Sequence, residues 1–470
     1  MTAPPGTGRG TAPLAGGAHG ADALRPLLDT VLDALATGAR ARGGPLPAGG
    51  PEAVTARVEA ALGDLLPDHG HGDHEALRTL VHTLAAGAAD PADPLCAAHL
   101  HCPPLAVAAA ADLAASALNP SLDSWDQAPA ASAIEALLTR TLAAEFYDTP
   151  HPDAVLTTGG TEANQLAVLL ARERHGPRLT VLHGANAHHS IPRAAWLLGL
   201  PPARALPTPN GTLDPATLAE ALADTTGPVL VTATAGTTDA GLIDPLGPLA
   251  DLCDQHRAGQ HRADLHIDAA YGGLLALSPR HRPKLAGLHR ARSITLDLHK
   301  LGWQPVAAGL LTVPDTALLA PLAHQADYLN AEDDTEAGLP DLLGRSLRTT
   351  RRADAFKIAA TLRSLGRDGL THLIDRTCAL AEHLARLLEA HPAFELHAAP
   401  TISTVLFRPT QADDTRLAAL RRTLLLDGTA VLGRATADGR LWLKATLLNP
   451  HTTAGDLDTL VNLLEGSTQR

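Results

Sequence analysis

The chain has 470 residues, 45% hydrophobic but only 2% aromatic, and a net charge of −13 from 37 Lys plus Arg against 50 Asp plus Glu. That length predicts more than one lobe, and the acidic balance argues against a nucleic-acid partner, which needs excess cations to displace phosphate counterions. The four cysteines (Cys96, Cys102, Cys253, Cys378) form no CxxC pair, and neither a leader nor an apolar run near the ~20 residues of a membrane span is visible, so the expectation is a reduced, cytoplasmic enzyme with no membrane partner.

Residues 1–20 are Gly, Pro, Ala and Thr in low-complexity order and read as a disordered tail. Over Ala21 to Ala36, Leu24, Leu27, Leu28, Val31, Leu32 and Leu35 recur at helical spacing, with Gly38 read as the stop. A second helix is expected over Glu52 to Leu66. His69, His71 and His74 match no standard metal-ligand spacing and read as a solvated loop, so no metal is expected. Asp93 to Pro104 reads as a turn before an alanine-rich helix, Leu105 to Ala117. Asn119 to Gln127 is polar apart from Leu122 and Trp125, and a rare aromatic in a polar loop suggests a pocket wall. Ser132 to Ala144 returns to helix.

From about Ala154 strands and helices alternate, the pattern of a mostly parallel sheet. Strands are expected at Val155–Thr158, Leu179–Leu182, Val229–Ala233, Leu265–Asp268 and Ser293–Leu296. In each case chemistry-bearing residues come just after the strand, and open α/β sheets bind ligands at that end. After Pro321 come a loop, His324 to Leu339, containing Asp327-Tyr328-Leu329, and then a helix, Ala353 to Leu365. The remainder alternates helices with short strands (Thr404–Phe407, Leu441–Lys444) and reads as a smaller α/β domain. The expected division is a tail over 1–20, a helical segment over 21–118, a large domain over 119–352 and a small domain over 353–470.

Lys300 lies at the mouth of a buried strand, where an amine is costly unless its charge or lone pair is used, and a Schiff base to an aldehyde cofactor is one such use. Pyridoxal 5′-phosphate needs four things: an amine, an acid, an anion cradle and a group that holds the ring flat. Lys300 supplies the amine, and Asp268 pairs with the pyridine nitrogen to keep the ring an electron sink. Gly159, Gly160 and Thr161 form a glycine turn feeding a helix N-terminus, a natural phosphate site, with His299 assisting. His188 is placed to stack on the ring, Thr237 to hold its edge, and Ala270, in the turn after Asp268, is also expected to bind the cofactor.

Thr157-Thr-Gly-Gly-Thr-Glu-Ala-Asn164, Ala187-His188, Thr234-Ala-Gly-Thr-Thr238, His266-Ile-Asp-Ala-Ala-Tyr271 and His299-Lys300 resemble the motif series of the group II pyridoxal-phosphate-dependent amino-acid decarboxylases. The series is ordered and correctly spaced from about Asp93 to Asp368. The resemblance implies the α/β fold-type I, aminotransferase-like architecture. It also implies Lys300, His188 and Tyr328 as catalytic residues, with Tyr328 on a loop that protonates the substrate carbon after carbon dioxide leaves. It implies a homodimer with the active site at the subunit interface. Ser121 to Gln127 and Ser346 to Asp354 look more like bacterial decarboxylases of basic amino acids, of the diaminobutyrate, lysine or ornithine type. An aromatic amino-acid decarboxylase and a pyridoxal aminotransferase stay open as alternatives. Asp297 stands where many relatives of that family have asparagine.

Overall fold

The computed structural model describes residues 12–258, 262–324, 326 and 329–468. Most of the expected tail, residues 1–11, lies outside the described residues, and the first helix, α1 (Gly20–Arg42), begins where that tail was expected to end. Two more come after it, α2 (Gly50–Leu62) and α3 (Asp73–Gly87). Gly38 does not stop α1. A Cβ there would meet His82 O at 2.6 Å and Ala85 Cβ at 2.7 Å, so the glycine lets α1 lie against α3, and the helix ends instead at Gly43 with φ 79°. His74 sits in the first turn of α3, its Nδ1 2.7 Å from Thr30 Oγ1, so only part of the histidine cluster remains in the loop.

A two-residue strand, β1 (Cys96–Ala97), precedes α4 (Ala106–Leu118) and α5 (Pro129–Ala143). Between those helices Ser121 bridges to Arg352, and Trp125–Gln127 form a single tight turn. The alternating region then runs β2 (Asp153–Thr157), α6 (Gly160–His175), β3 (Thr180–Gly184), α7 (Ser190–Leu197), β4 (Arg204–Leu206), β5 (Val229–Thr234), β6 (Ala263–Asp268), β7 (Ser293–Asp297) and β8 (Gly309–Val313). They build a seven-stranded sheet in the order β2-β8-β7-β6-β5-β3-β4. Every residue of β2, β5, β6, β7 and β8 is buried, which is why these strands read as short apolar runs without alternation.

Only β8 runs against its neighbours: it is antiparallel to both β2 and β7, while the other pairings are parallel. β2, β3, β5, β6 and β7 therefore point the same way and release their outgoing loops at one edge. The sequence reading found these strands and missed β4 and β8. β4 is three residues long and mostly exposed, and β8 is a return strand without a helical crossover to announce it.

The second sheet takes β9 (Phe394–Leu396), β10 (Thr404–Pro409), β11 (Val431–Ala437) and β12 (Arg440–Thr446), with β1 at its edge in the order β1-β11-β12-β10-β9. The N-terminal segment is thus sewn into the C-terminal sheet through β1, which runs parallel to β11. A long helix, Ala355–Ala390, joins the two sheets and kinks at Gly366, whose φ of 62° lies outside the helical region. The helix expected to end at Leu365 stops at that kink, and the chain resumes helix beyond it.

Candidate active site

The loops after β2, β3, β5, β6 and β7 meet around one cavity of about 390 Å³, whose walls include Gly159, Gly160, His188, Asp268 and Lys300. Its size falls in the range of small-molecule sites, about 300–1,000 Å³. Asp268 ends β6 and Lys300 lies in the loop just after β7, its parallel neighbour, so the amine and the carboxylate address the same space.

At one end lies the glycine turn. Glu162 Oε2 accepts from Thr158 N at 2.6 Å and Thr158 Oγ1 at 2.7 Å, while its other oxygen lies 3.2 Å from Arg348 Nε. This arrangement fixes the turn that opens α6, whose residues Gly159, Gly160 and Thr161 line the cavity. Side chains would crowd this turn: a Cβ on Gly159 would lie 2.9 Å from His299 Cε1, and one on Gly160 would lie 3.0 Å from Ala270 Cβ. Asp297 closes the floor. Its Oδ2 accepts from Gly160 N at 3.2 Å and lies 3.6 Å from Lys300 Nζ, and its Oδ1 lies 2.8 Å from His299 Nδ1. That last pair is poorly aligned for a hydrogen bond, so both atoms are buried without a well-formed partner.

Asp268 is buried at the end of β6. Oδ1 accepts from Ala270 N at 3.1 Å and Oδ2 from Asn164 Nδ2 at 2.8 Å. Asn164, on the first turns of α6, also donates to Ser190 Oγ at 2.8 Å, and its Oδ1 receives Thr295 Oγ1 at 2.7 Å and His266 Nε2 at 3.0 Å. Burial pushes the His266 imidazole down to about 4, so it is neutral at pH 7. His188 sits beside this group, Nδ1 2.8 Å from Ser190 Oγ, with its ring centroid 4.1 Å from that of His189. Burial lowers its pKa, against the pull of the nearby Asp268 charge.

The lysine loop is anchored from behind. Trp303, fully buried, donates Nε1–H to Leu448 O at 2.8 Å, and its carbonyl accepts from Leu105 N at 2.9 Å. Tyr271 ties the β6 loop to the second sheet through Ser403 Oγ at 2.8 Å and Thr404 Oγ1 at 2.9 Å, and burial pushes its phenol up to about 12. Lys444 reaches from β12 to Thr238 O at 3.1 Å. Loops that line the cavity are therefore tied to the second sheet.

Of the residues expected from sequence, Gly159, Gly160, Thr161, His188, Asp268, Ala270, His299 and Lys300 all line this cavity. Thr237 is not among the lining residues. It is buried in the turn after β5 with its Oγ1 accepting from Leu242 N at 3.0 Å, and the wall is made by its neighbours Gly236 and Thr238. Asp327 and Tyr328 lie outside the described residues. Trp125 borders a separate hollow with Leu329, Asn330 and Asp334 rather than this cavity, so the expected pocket wall belongs elsewhere. Sequence reasoning gave no role to Leu100, Asn164 and Tyr271, although Asn164 and Tyr271 each close a quoted motif.

The residues fit pyridoxal 5′-phosphate. The cavity joins a lysine amine, a buried carboxylate, an imidazole and a close glycine turn, which together match an aldehyde, a pyridine nitrogen, a flat ring and a phosphate. Among the described residues no helix is long and apolar enough to cross a membrane.

Residues 65–410 match the family model described as the pyridoxal-dependent decarboxylase conserved domain. The chain is 40% identical over 428 residues to the L-2,4-diaminobutyrate decarboxylase of Rhizobium meliloti (strain 1021), covering 87% of this chain and 84% of that one. It is 33% identical over 404 residues to the L-2,4-diaminobutyrate decarboxylase of Acinetobacter baumannii, covering 78% of each. Among solved structures, the glutamate decarboxylase domain of diaminobutyrate-pyruvate transaminase and L-2,4-diaminobutyrate decarboxylase from Vibrio parahaemolyticus superposes with a TM-score of 0.85 at 30% identity, over 97% of both chains.

Proposed function

The chain belongs to the pyridoxal-dependent decarboxylase family and is a pyridoxal-phosphate-dependent amino-acid decarboxylase, and from that premise we propose that its substrate is L-2,4-diaminobutyrate. The two diaminobutyrate-decarboxylating relatives, at 40% and 33% identity, support that choice. The observation that carries the chemistry is the convergence of Lys300, Asp268 and His188 on one cavity.

When bound, the cofactor supplies an electron sink for the pair released as carbon dioxide departs. The chain's own residues do the rest. Lys300 Nζ would tether the cofactor, and Asp268, held by Asn164 and the Ala270 N–H, would pair with the pyridine nitrogen. The glycine turn at the start of α6 would hold the phosphate. His188 would cover the ring face and exclude water from it. Tyr328 returns the proton to the substrate α-carbon, a role that rests on its place in the resemblance.

The active form is a homodimer with the site at the subunit interface. The apolar side chains that the N-terminal helices leave uncovered support this: Leu32 and Leu35 on α1 and Leu80 and Leu84 on α3 are all exposed, and α2 buries no residue. Light scattering on the active enzyme tests it, and a monomer with full turnover would refute it.

Substrate choice is tested by measuring carbon dioxide release from diaminobutyrate, ornithine, lysine, glutamate, tyrosine, DOPA and tryptophan. Diaminobutyrate should give the highest kcat/KM. A preference for glutamate or an aromatic amino acid would overturn the proposal, and a keto-acid product would point to transamination.

A further inference from the structure

The hydrogen bonds around Asn164 have a direction that can be worked outward from one fixed point. That point is the Asp268 carboxylate, whose Oδ1 accepts from the Ala270 N–H and whose Oδ2 accepts from Asn164 Nδ2 at 2.8 Å. Asn164 Oδ1 then faces His266 Nε2 and Thr295 Oγ1, and both must donate to it. His266, neutral, therefore carries its proton on Nε2; of the two Ser293 oxygens near its Nδ1, the hydroxyl at 2.9 Å donates to it, and the carbonyl at 3.2 Å is a contact without a proton between. The second Asn164 N–H goes to Ser190 Oγ at 2.8 Å. The Ser190 backbone N–H donates to His188 Nδ1 at 3.3 Å, so Nδ1 is an acceptor, and the Ser190 hydroxyl, 2.8 Å from the same atom, donates to it as well. Ser190 and Asn164 are themselves almost completely buried, so water does not compete for these bonds.

We infer that Ser190 is a positioning residue which, oriented by Asn164, holds His188 in the tautomer with its proton on Nε2. Nδ1 of His188 is an acceptor held from below, and among the described residues no protein group hydrogen-bonds its Nε2. The histidine therefore presents an N–H donor, rather than a lone pair, to whatever occupies the cavity. Asp268, Asn164, Ser190 and His188 form one directional chain, so the group that holds the pyridine nitrogen and the group over the ring are oriented together. The same arrangement resists protonation of His188, because a proton on Nδ1 would confront the Ser190 backbone N–H that already points at that atom. The charged and titratable groups facing His188 are Asp268 from the β6 loop, Asp297 and Lys300 from the β7 loop, and His189 beside it.

The consequence for catalysis rests on the pocket being the cofactor site, but the tautomer does not, and it is measured directly. Long-range proton–nitrogen correlation spectra of the full-length enzyme, labelled with 15N-histidine and loaded with pyridoxal phosphate or stripped of it, report which ring nitrogen is protonated. The His188 signal is identified by its loss in His188→Gln. Wild-type His188 should show a protonated Nε2 and a bare Nδ1. Ser190→Ala should populate the other tautomer and raise the His188 titration midpoint by about one pH unit, the loss of one buried hydrogen bond. Ser190→Thr, which keeps the hydroxyl, should restore the wild-type signal. A protonated Nδ1 in the wild type, which needs no variant to fold, would overturn the inference. So would a Ser190→Ala titration indistinguishable from wild type. Loss of decarboxylation with the tautomer as described would count against the functional reading alone.

Discussion

His266→Gln should flatten the acid dependence of stability. The imidazole is fully buried beneath the cavity, donating to Asn164 Oδ1 at 3.0 Å, and burial depresses its pKa from 6.5 to about 4. Between those values the unfolded chain takes up a proton that the folded chain refuses. The stabilisation is therefore complete above about pH 6.5 and declines as the pH falls toward the folded pKa. Integrated from pH 8 to pH 5, one such group removes about 2 kcal/mol. Glutamine keeps an N–H for Asn164 and an oxygen for Ser293, but does not titrate. Burial also lowers His99, His101, His188 and His281, so acidification weakens the protein in any case, and only the difference between wild type and variant isolates His266. Urea unfolding at the two pH values should show wild type losing about 2 kcal/mol more than His266→Gln. Equal losses would mean that His266 is already charged in the folded state. The hydrogen-bond directions drawn from Asp268 outward would then lose their support.

Lys300→Ala should lose both the visible absorbance of bound cofactor and all carbon dioxide release; retention of both would refute the assignment of the amine. Gly159→Val places a side chain where a Cβ already comes within 2.9 Å of His299 Cε1, so the cradle should deform. Cofactor affinity, titrated by absorbance into stripped enzyme, should fall at least about tenfold, roughly 1.4 kcal/mol; wild-type affinity would show that the turn does not hold the phosphate. Glu135→Ala strands the Arg351 guanidinium, whose side chain is 3% exposed and whose Nε and Nη2 already lack partners. Its cost in urea unfolding should be about 3–5 kcal/mol, and a loss below about 1 kcal/mol would mean that water reaches the arginine.

Much of the site could be read from the chain because of how parallel sheets work. Lys300, Asp268, His188 and the Gly159-Gly160 turn each come after a short apolar run, and strands that run in one direction must deliver their outgoing loops to one edge. Residue type and position after a strand were enough, and neither depends on how distant segments pack. What the chain order could not convey was anything set by rotation or by contact between remote pieces. Asn164 lies within a helix, and only the orientation of α6 turns it toward Asp268. Thr237 and Thr238 are chemically alike, and the turn with Leu242 decides which one reaches the wall. Gly38 looks like a helix stop until α3 is seen lying against it, and Cys96–Ala97 is too short to read as a strand until β11 supplies its partner. Local propensity and spacing determined which groups reach the cavity; long-range packing decided which way their hydrogen bonds run.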